Sequence, residues 1–124
     1  MRRKIITLSV VVCMIVSMVA YSVLAFNKPF DTNGFHYVDT VKNNYGVTKT
    51  LKAKATLSSG SGGVWVLVRN NTGVTIIAQK LFPYQDQSIS PLSHSVNATE
   101  KRRLYVEPNT SGQTVVGNLN YYFA

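Results

Sequence analysis

The side chains best placed to do chemistry in this chain are cations. Beyond the first few residues, Lys101-Arg102-Arg103 is the densest basic run, and Lys49, Lys52 and Lys54 form a second cluster. Grouped cations attract phosphate, carboxylate or sulfate groups. Tyr105 and Tyr122 lie in the same kind of alternating segment, where an exposed aromatic ring can stack on a sugar or a base. These eight residues form a candidate binding patch if the strands that carry them pair or neighbour one another. A plainer account also fits. Lysines on a wet strand face discourage edge-to-edge aggregation, and aromatic residues favour strands and fill cores.

Other chemistry finds little support. The two histidines, His36 and His94, are far apart, and the one cysteine, Cys13, sits in an apolar run. A structural metal needs about four clustered ligands, so no metal or other cofactor is expected. A Ser-His-Asp triad can be assembled on paper, but no Gly-x-Ser-x-Gly elbow leads into a helix. The five acids, Asp31, Asp39, Asp86, Glu100 and Glu107, are scattered. A hydrolase would need Asp39, Asp86, Glu100 or His94 to converge in one cleft. The reading is therefore not an enzyme. Ser58-Ser59-Gly60-Ser61-Gly62-Gly63 lacks the lysine and hydroxyl of a phosphate loop and leads into a strand, so it is read as a connection. Three Asn-x-Ser/Thr sequons begin at Asn70, Asn97 and Asn109, all in expected turns.

These residues must be positioned by strands. Thr48 to Leu57 alternates strictly, with Leu51, Ala53, Ala55 and Leu57 on one face and Thr50, Lys52, Lys54 and Thr56 on the other. That period of two predicts a strand with one buried face. Further strands are expected over Phe35–Lys42, Val64–Arg69, Val74–Leu81, Arg102–Glu107 and Gln113–Phe123. Val64–Arg69 is apolar on both faces and reads as central, with Trp65 in or near the core. Asn70-Asn71-Thr72-Gly73 predicts a hairpin turn. Gln87–Val96, interrupted by Pro91, reads as one edge strand. Phe26–Gly34 reads as a lead-in closed by a turn. The expectation is an all-β fold: an antiparallel β-sandwich or small barrel of six to seven strands after an N-terminal signal helix. Residues 26–47 would supply the lead-in and first strand of a single domain, and residues 48–124 the remainder.

The first 25 residues read as a secretory signal. Arg2, Arg3 and Lys4 precede an apolar run from Ile5 to about Met18. Val23 and Ala25 stand at the small-residue positions of a peptidase site, which places the cut after Ala25. An uncleaved anchor is the competing reading, since Ile5–Phe26 is about long enough to span a bilayer. Either way the positive end stays inside and the remainder faces outward. Ile5-Ile6 after the arginine pair argues for the general secretory route over the twin-arginine one. The expected location is secreted or on the extracellular face of the cell envelope.

The chain carries a formal charge of +8, of which Arg2, Arg3 and Lys4 supply three, leaving +5 beyond the leader. An exported basic domain meets wall polymers and phospholipid headgroups before it meets nucleic acid. The expected partner is therefore an anionic cell-wall polymer or membrane lipid, with nucleic acid disfavoured and the oligomeric state open. A structural or assembly subunit at the cell surface is an alternative. The aromatic end, Gly117-Asn118-Leu119-Asn120-Tyr121-Tyr122-Phe123, and the Val64-Trp65 strand resemble small exported β-sandwich proteins of Gram-positive bacteria. Bacteriocins of the lactococcin 972 type are one such group. The resemblance implies a secreted antibacterial protein acting on a wall-precursor lipid. Phe26–Gly46 departs from that group, whose mature peptides begin rich in Gly, His and Trp.

Overall fold

The structure is a computed structural model and describes residues 25–86 and 88–124. Residues 1–24 of the expected 25-residue leader lie outside the described residues. The expected cut after Ala25 would leave Phe26 as the first residue of the domain.

Eight strands form two antiparallel sheets: β1 Ala25–Thr32, β2 His36–Lys42, β3 Lys49–Ser59, β4 Val64–Arg69, β5 Ile76–Phe82, β6 Leu92–Val96, β7 Lys101–Pro108 and β8 Val115–Phe123. Sheet A has the order β1-β8-β3-β6 and sheet B the order β2-β7-β4-β5. Strand β1 lies over β2, β3 over β4 and β5 beside β6. The chain changes sheet at every connection except the β4–β5 hairpin, which is the connectivity of a jelly roll. The class expected from sequence, an antiparallel sandwich, is the one observed.

The strand count differs from expectation because of the chain's start. Phe26–Gly34 is not a lead-in: Ala25–Thr32 is a strand along the edge of sheet A. Only Phe30 of its eight residues is buried, so it carries no apolar alternation to read. Pro29 is tolerated because an edge strand can spare one donor. The expected strand over Gln87–Val96 shrinks to Leu92–Val96, with Pro91 just outside it. It does lie at an edge. Strand β5 starts two residues later than expected and ends on fully buried Phe82.

Alternation decides the core. Leu51, Ala53, Ala55 and Leu57 of β3 face inward, as do Val64, Val66 and Val68 of β4, Leu104 and Val106 of β7, and Val115, Leu119 and Tyr121 of β8. Trp65 points to the outer face instead of the core, where its indole Nε1 donates to Asn109 Oδ1 at 2.8 Å. Glycines set the close approaches. Gly73, with φ 74°, closes the β4–β5 hairpin.

Loops β2–β3, β4–β5 and β6–β7 gather at one end of the sandwich, here the lower end. Asn43 joins two of them. Its side chain is fully buried, donates to the carbonyls of Val47 and Val96 (2.8 and 2.9 Å), and accepts from Tyr45 N–H. Its main chain exchanges hydrogen bonds with Thr99 and Glu100.

Candidate functional site

The structure does not bring the two basic runs together. Lys49, Lys52 and Lys54 belong to β3 in sheet A, whereas Lys101, Arg102 and Arg103 belong to β7 in sheet B. Strands in different sheets cannot neighbour edge to edge, so the eight-residue patch divides in two. On the outer face of sheet A, Lys52 sits directly opposite Tyr122, and Lys54 opposite Asn120. Lys52 Nζ donates to Ser93 Oγ at 2.7 Å. Lys49 lies at the lower end, with its ammonium 5.1 Å from the centre of the Tyr45 ring.

Sheet B holds the denser arrangement. Residues 101, 103, 105 and 107 alternate onto the outer face of β7, while Arg102 turns inward. Arg102 pairs with Glu100 and donates to His94 Nε2 at 3.4 Å. It is a tie at the end of the sandwich and does not share the outer face of β7. Tyr105 departs from expectation in a different way. It is on the outer face but only 8% exposed. Phe35 stacks on it at 4.6 Å, and Tyr37 meets it edge-on at 5.6 Å. The exposed aromatic surface there belongs to Phe35 and Tyr37, with Tyr105 as its floor.

The ladder adds two cations that sequence reading did not single out. Lys42 on β2 is the direct partner of Lys101, and Arg69 on β4 is the direct partner of Arg103. Two like-charge cross-strand pairs thus stand side by side on the lower half of one face. Like charges directly opposite are destabilising. No carboxylate offsets them. Glu100 is held by Arg102, Asp39 by Lys28, and Glu107 lies four residues up the strand from Arg103, roughly 13 Å away. Arg69 is partly compensated: its Nη1 donates to Gly73 O at 2.8 Å, and its guanidinium packs 4.4 Å from the Phe35 ring centre and 5.0 Å from that of Tyr105. The Arg103 side chain has no hydrogen bond or ion pair among the described residues, and the Nε atoms of both arginines are buried without a partner. A buried donor without an acceptor costs about 1–3 kcal/mol. No local motif marks Lys42 or Arg69, since each is a single cation and only the register pairs it.

Two depressions meet at the lower end. One, of about 500 Å³, is walled mainly by Phe26, Tyr45, Leu51, Tyr121, Tyr122 and Phe123, with Asp39 and Lys42 at its polar margin. The other, of about 460 Å³, is polar and open, lined by Lys42, Lys101, Arg102, Glu100 and the Asn70–Thr72 turn. Lys42 borders both.

Among known proteins, no family model matches the chain and no curated protein matches it. The chain is similar to a solved structure described as the crystal structure of PirA. The TM-score is 0.47 and the identity 13%, over 81% of this chain and 93% of that chain.

The groups considered for hydrolysis do not converge. Asp86 is in the β5–β6 connection, hydrogen-bonded to Ser88. Asp39 accepts from the Tyr121 hydroxyl between the sheets and pairs with Lys28. Burial, then the Asp39 hydrogen bond and charge, push the Tyr121 hydroxyl above its ordinary range, so it stays protonated. Only His94 and Glu100 come close, joined through Arg102. Among the described residues no group of three or more His, Cys, Asp or Glu is arranged to hold a metal ion. The three sequon asparagines are all engaged in hydrogen bonds, Asn70 within its own turn and Asn97 and Asn109 also to distant segments. Asn70 Oδ1 accepts from Thr72 and Val74, Asn97 binds Thr48 and Glu100, and Asn109 binds Trp65 and Gly62.

These groups set an acid sensitivity. Burial first, and then the Arg102 charge, hold His94 below its ordinary value of 6.5, with Glu100 opposing. A histidine that binds its proton less readily when folded costs stability as pH falls below its unfolded value. Glu100 is held below 4.5 chiefly by its hydrogen bond from Arg102, and Asp86 below 3.8 by Ser88. Their stabilisation is present above those values and lost as pH drops through the folded ones. Urea midpoints should therefore fall in two stages, first below about pH 6.5 and again below about pH 4.5. His94→Gln should remove the first stage alone. A midpoint that rises on acidification would contradict this assignment.

Proposed function

We propose that this protein is an exported, non-enzymatic binding module that takes an anionic component of the cell envelope, a wall polymer or a lipid headgroup, on the outer face of sheet B. The observation that carries this reading is the adjacency of Lys42–Lys101 and Arg69–Arg103, none of them paired with a carboxylate: Glu100, which lines the same depression, is held by Arg102. A face that repels itself is stabilised when an anion arrives, so binding relieves a cost already present in the free domain. Phe35 and Tyr37 offer exposed rings beside the cations, suited to a sugar or glycerol backbone between the charged groups. The net positive charge beyond the leader acts in the same direction over longer range.

The test uses protein isolated from cells that express the whole chain. It is sedimented with purified anionic wall polymer, and separately with anionic and zwitterionic vesicles, over a range of salt. Binding to one anionic target should weaken steeply as salt rises, because exposed charges are screened within about 10 Å at 0.1 M. The double variant Lys42→Glu/Lys101→Glu should bind at least tenfold more weakly. It should fold at least as well as the parent, since a like-charge pair on an exposed face is exchanged for another. Salt-insensitive binding, or equal binding by the variant, would sink the reading.

A further inference from the structure

We propose that the aromatic cleft at the lower end holds the tail of an anionic amphiphile whose head sits on the Lys42–Lys101 pair; this rests on the anion-binding reading of sheet B and narrows its ligand to a lipid. Three observations support it. First, the cleft has a volume of about 500 Å³ and mostly apolar walls, within the range of small-molecule sites. Second, its lip is formed by a ring that water should not favour. Phe26 is 53% exposed, supported only from one side by stacking on Tyr121 at 5.6 Å. Tyr45 lines the same cleft, edge-on to Phe123 at 6.1 Å. Third, the polar margin is cationic. Lys28 and the Tyr121 hydroxyl hold Asp39, which leaves Lys42 facing both the cleft and the basic groove.

The arrangement selects for two features in one molecule. A carboxylate or phosphate bound between Lys42 and Lys101 places whatever is attached to it at the mouth of the aromatic cleft. A bare anion would fill the groove and leave the cleft empty. A neutral alkyl chain would fill the cleft and leave the cation pair uncompensated. An acyl or isoprenoid chain ending in an acidic head satisfies both.

The experiment measures affinity by calorimetry for three probes: palmitate below its micellar concentration, its short homologue octanoate, and glycerol phosphate. The protein is isolated from cells expressing the whole chain. Palmitate should bind at least a hundredfold more tightly than octanoate, since each buried methylene contributes up to about fourfold. Phe26→Ala and Tyr45→Ala should each weaken palmitate binding at least tenfold and leave the weaker binding of glycerol phosphate, which has no tail, unchanged. Lys42→Glu should weaken both. Phe26 is exposed, so its loss should leave the unfolding midpoint nearly unchanged, and Tyr45→Ala gives an independent check. Equal affinity for palmitate and octanoate, or indifference to both aromatic substitutions, would overturn the amphiphile while leaving the anion-binding face standing. Palmitate binding that ignores Lys42→Glu would overturn it as well. Loss of salt-sensitive binding to every anionic surface would remove the reading on which it rests.

Discussion

Replacing Gly117 with alanine should destabilise the domain by about 3 kcal/mol or more, the largest effect expected of any single methyl group in this chain. Gly117 lies within β8, paired on one side with Phe30 of β1 and on the other with Leu57 of β3. A Cβ built there would stand 2.2 Å from the Thr56 carbonyl oxygen and 3.0 Å from Leu57 Cα. Both are main-chain atoms of an interior strand, so no side chain can swing aside. The ladder itself would have to open, next to the irregularity at Leu57–Ser59. The backbone at Gly117 is not in the left-handed region, so the constraint is space alone. Thermal unfolding should show a fall of more than about 12 °C for a domain of this size. Two controls separate space from torsion. Gly112 has nothing within 4 Å but a φ of 79°, and its alanine variant should lose only about 1–2 kcal/mol. Gly34 is open and unstrained, and alanine there should be neutral or stabilising by a few tenths of a kcal/mol. A Gly117→Ala midpoint within a few degrees of the parent would show that β3 and β8 do not pack as described.

Asn43→Ala should cost about 3–5 kcal/mol, because three partners lose their hydrogen bonds at once inside the protein. The Val47 and Val96 carbonyls lose their donor, and the Tyr45 N–H loses its acceptor. The Asn43 side chain and its bond to Val96 are fully buried, whereas the bonds to Val47 and Tyr45 are part-buried, so water has no ready access to the Val96 carbonyl in particular. The more informative variant is Asn43→Asp, which keeps the shape and replaces the amide with a carboxyl. An ionised carboxylate there would face two carbonyl oxygens, so the folded protein should favour the protonated acid. A carboxyl whose folded pKa is raised is more stable in acid. The Asp variant should therefore gain on the parent as pH falls below neutrality, while the parent itself weakens through His94 and Glu100. Urea midpoints from pH 7 to pH 4 would decide the matter, and a constant gap between the two proteins would count against the buried-keystone role. The consequence extends to binding. Asn43 ties the β2–β3 loop to Thr99 and Glu100, and those segments carry Lys42, Tyr45 and Lys101. Loosening it should spread the cation pair and the aromatic lip together.

How much of this was legible beforehand varies with the kind of information. Strict alternation from Thr48 to Leu57 assigns inner and outer faces correctly, because side chains on a strand repeat every two residues. The turns at Asn70–Gly73 and at Asn109 are equally local, since they depend on residues that accept tight backbone geometry. Strand β1 escapes that reading. Its inner positions are Phe26, Lys28, Phe30 and Thr32, and Lys28 finds its partner in Asp39 only across the gap between sheets.

The candidate site shows the same division. Composition and local pattern were enough to mark Lys101, Arg103 and Tyr105 as worth attention, and to give Lys52 and Tyr122 each to the wet face of its own strand; only the pairing of β3 with β8 puts the two on a common face. Nothing local could say that β3 and β7 go to opposite sheets, which separates the two basic runs. Nor could it say that Tyr105 lies beneath Phe35, or that Arg102 turns inward to Glu100. Lys42 and Arg69 become important only through their cross-strand partners, and partner choice depends on how all eight strands are ordered. A side chain's face is a property of its own strand and its nearest neighbours in the chain. Its charge environment is a sum over everything the fold places nearby, and only the tertiary structure supplies that sum.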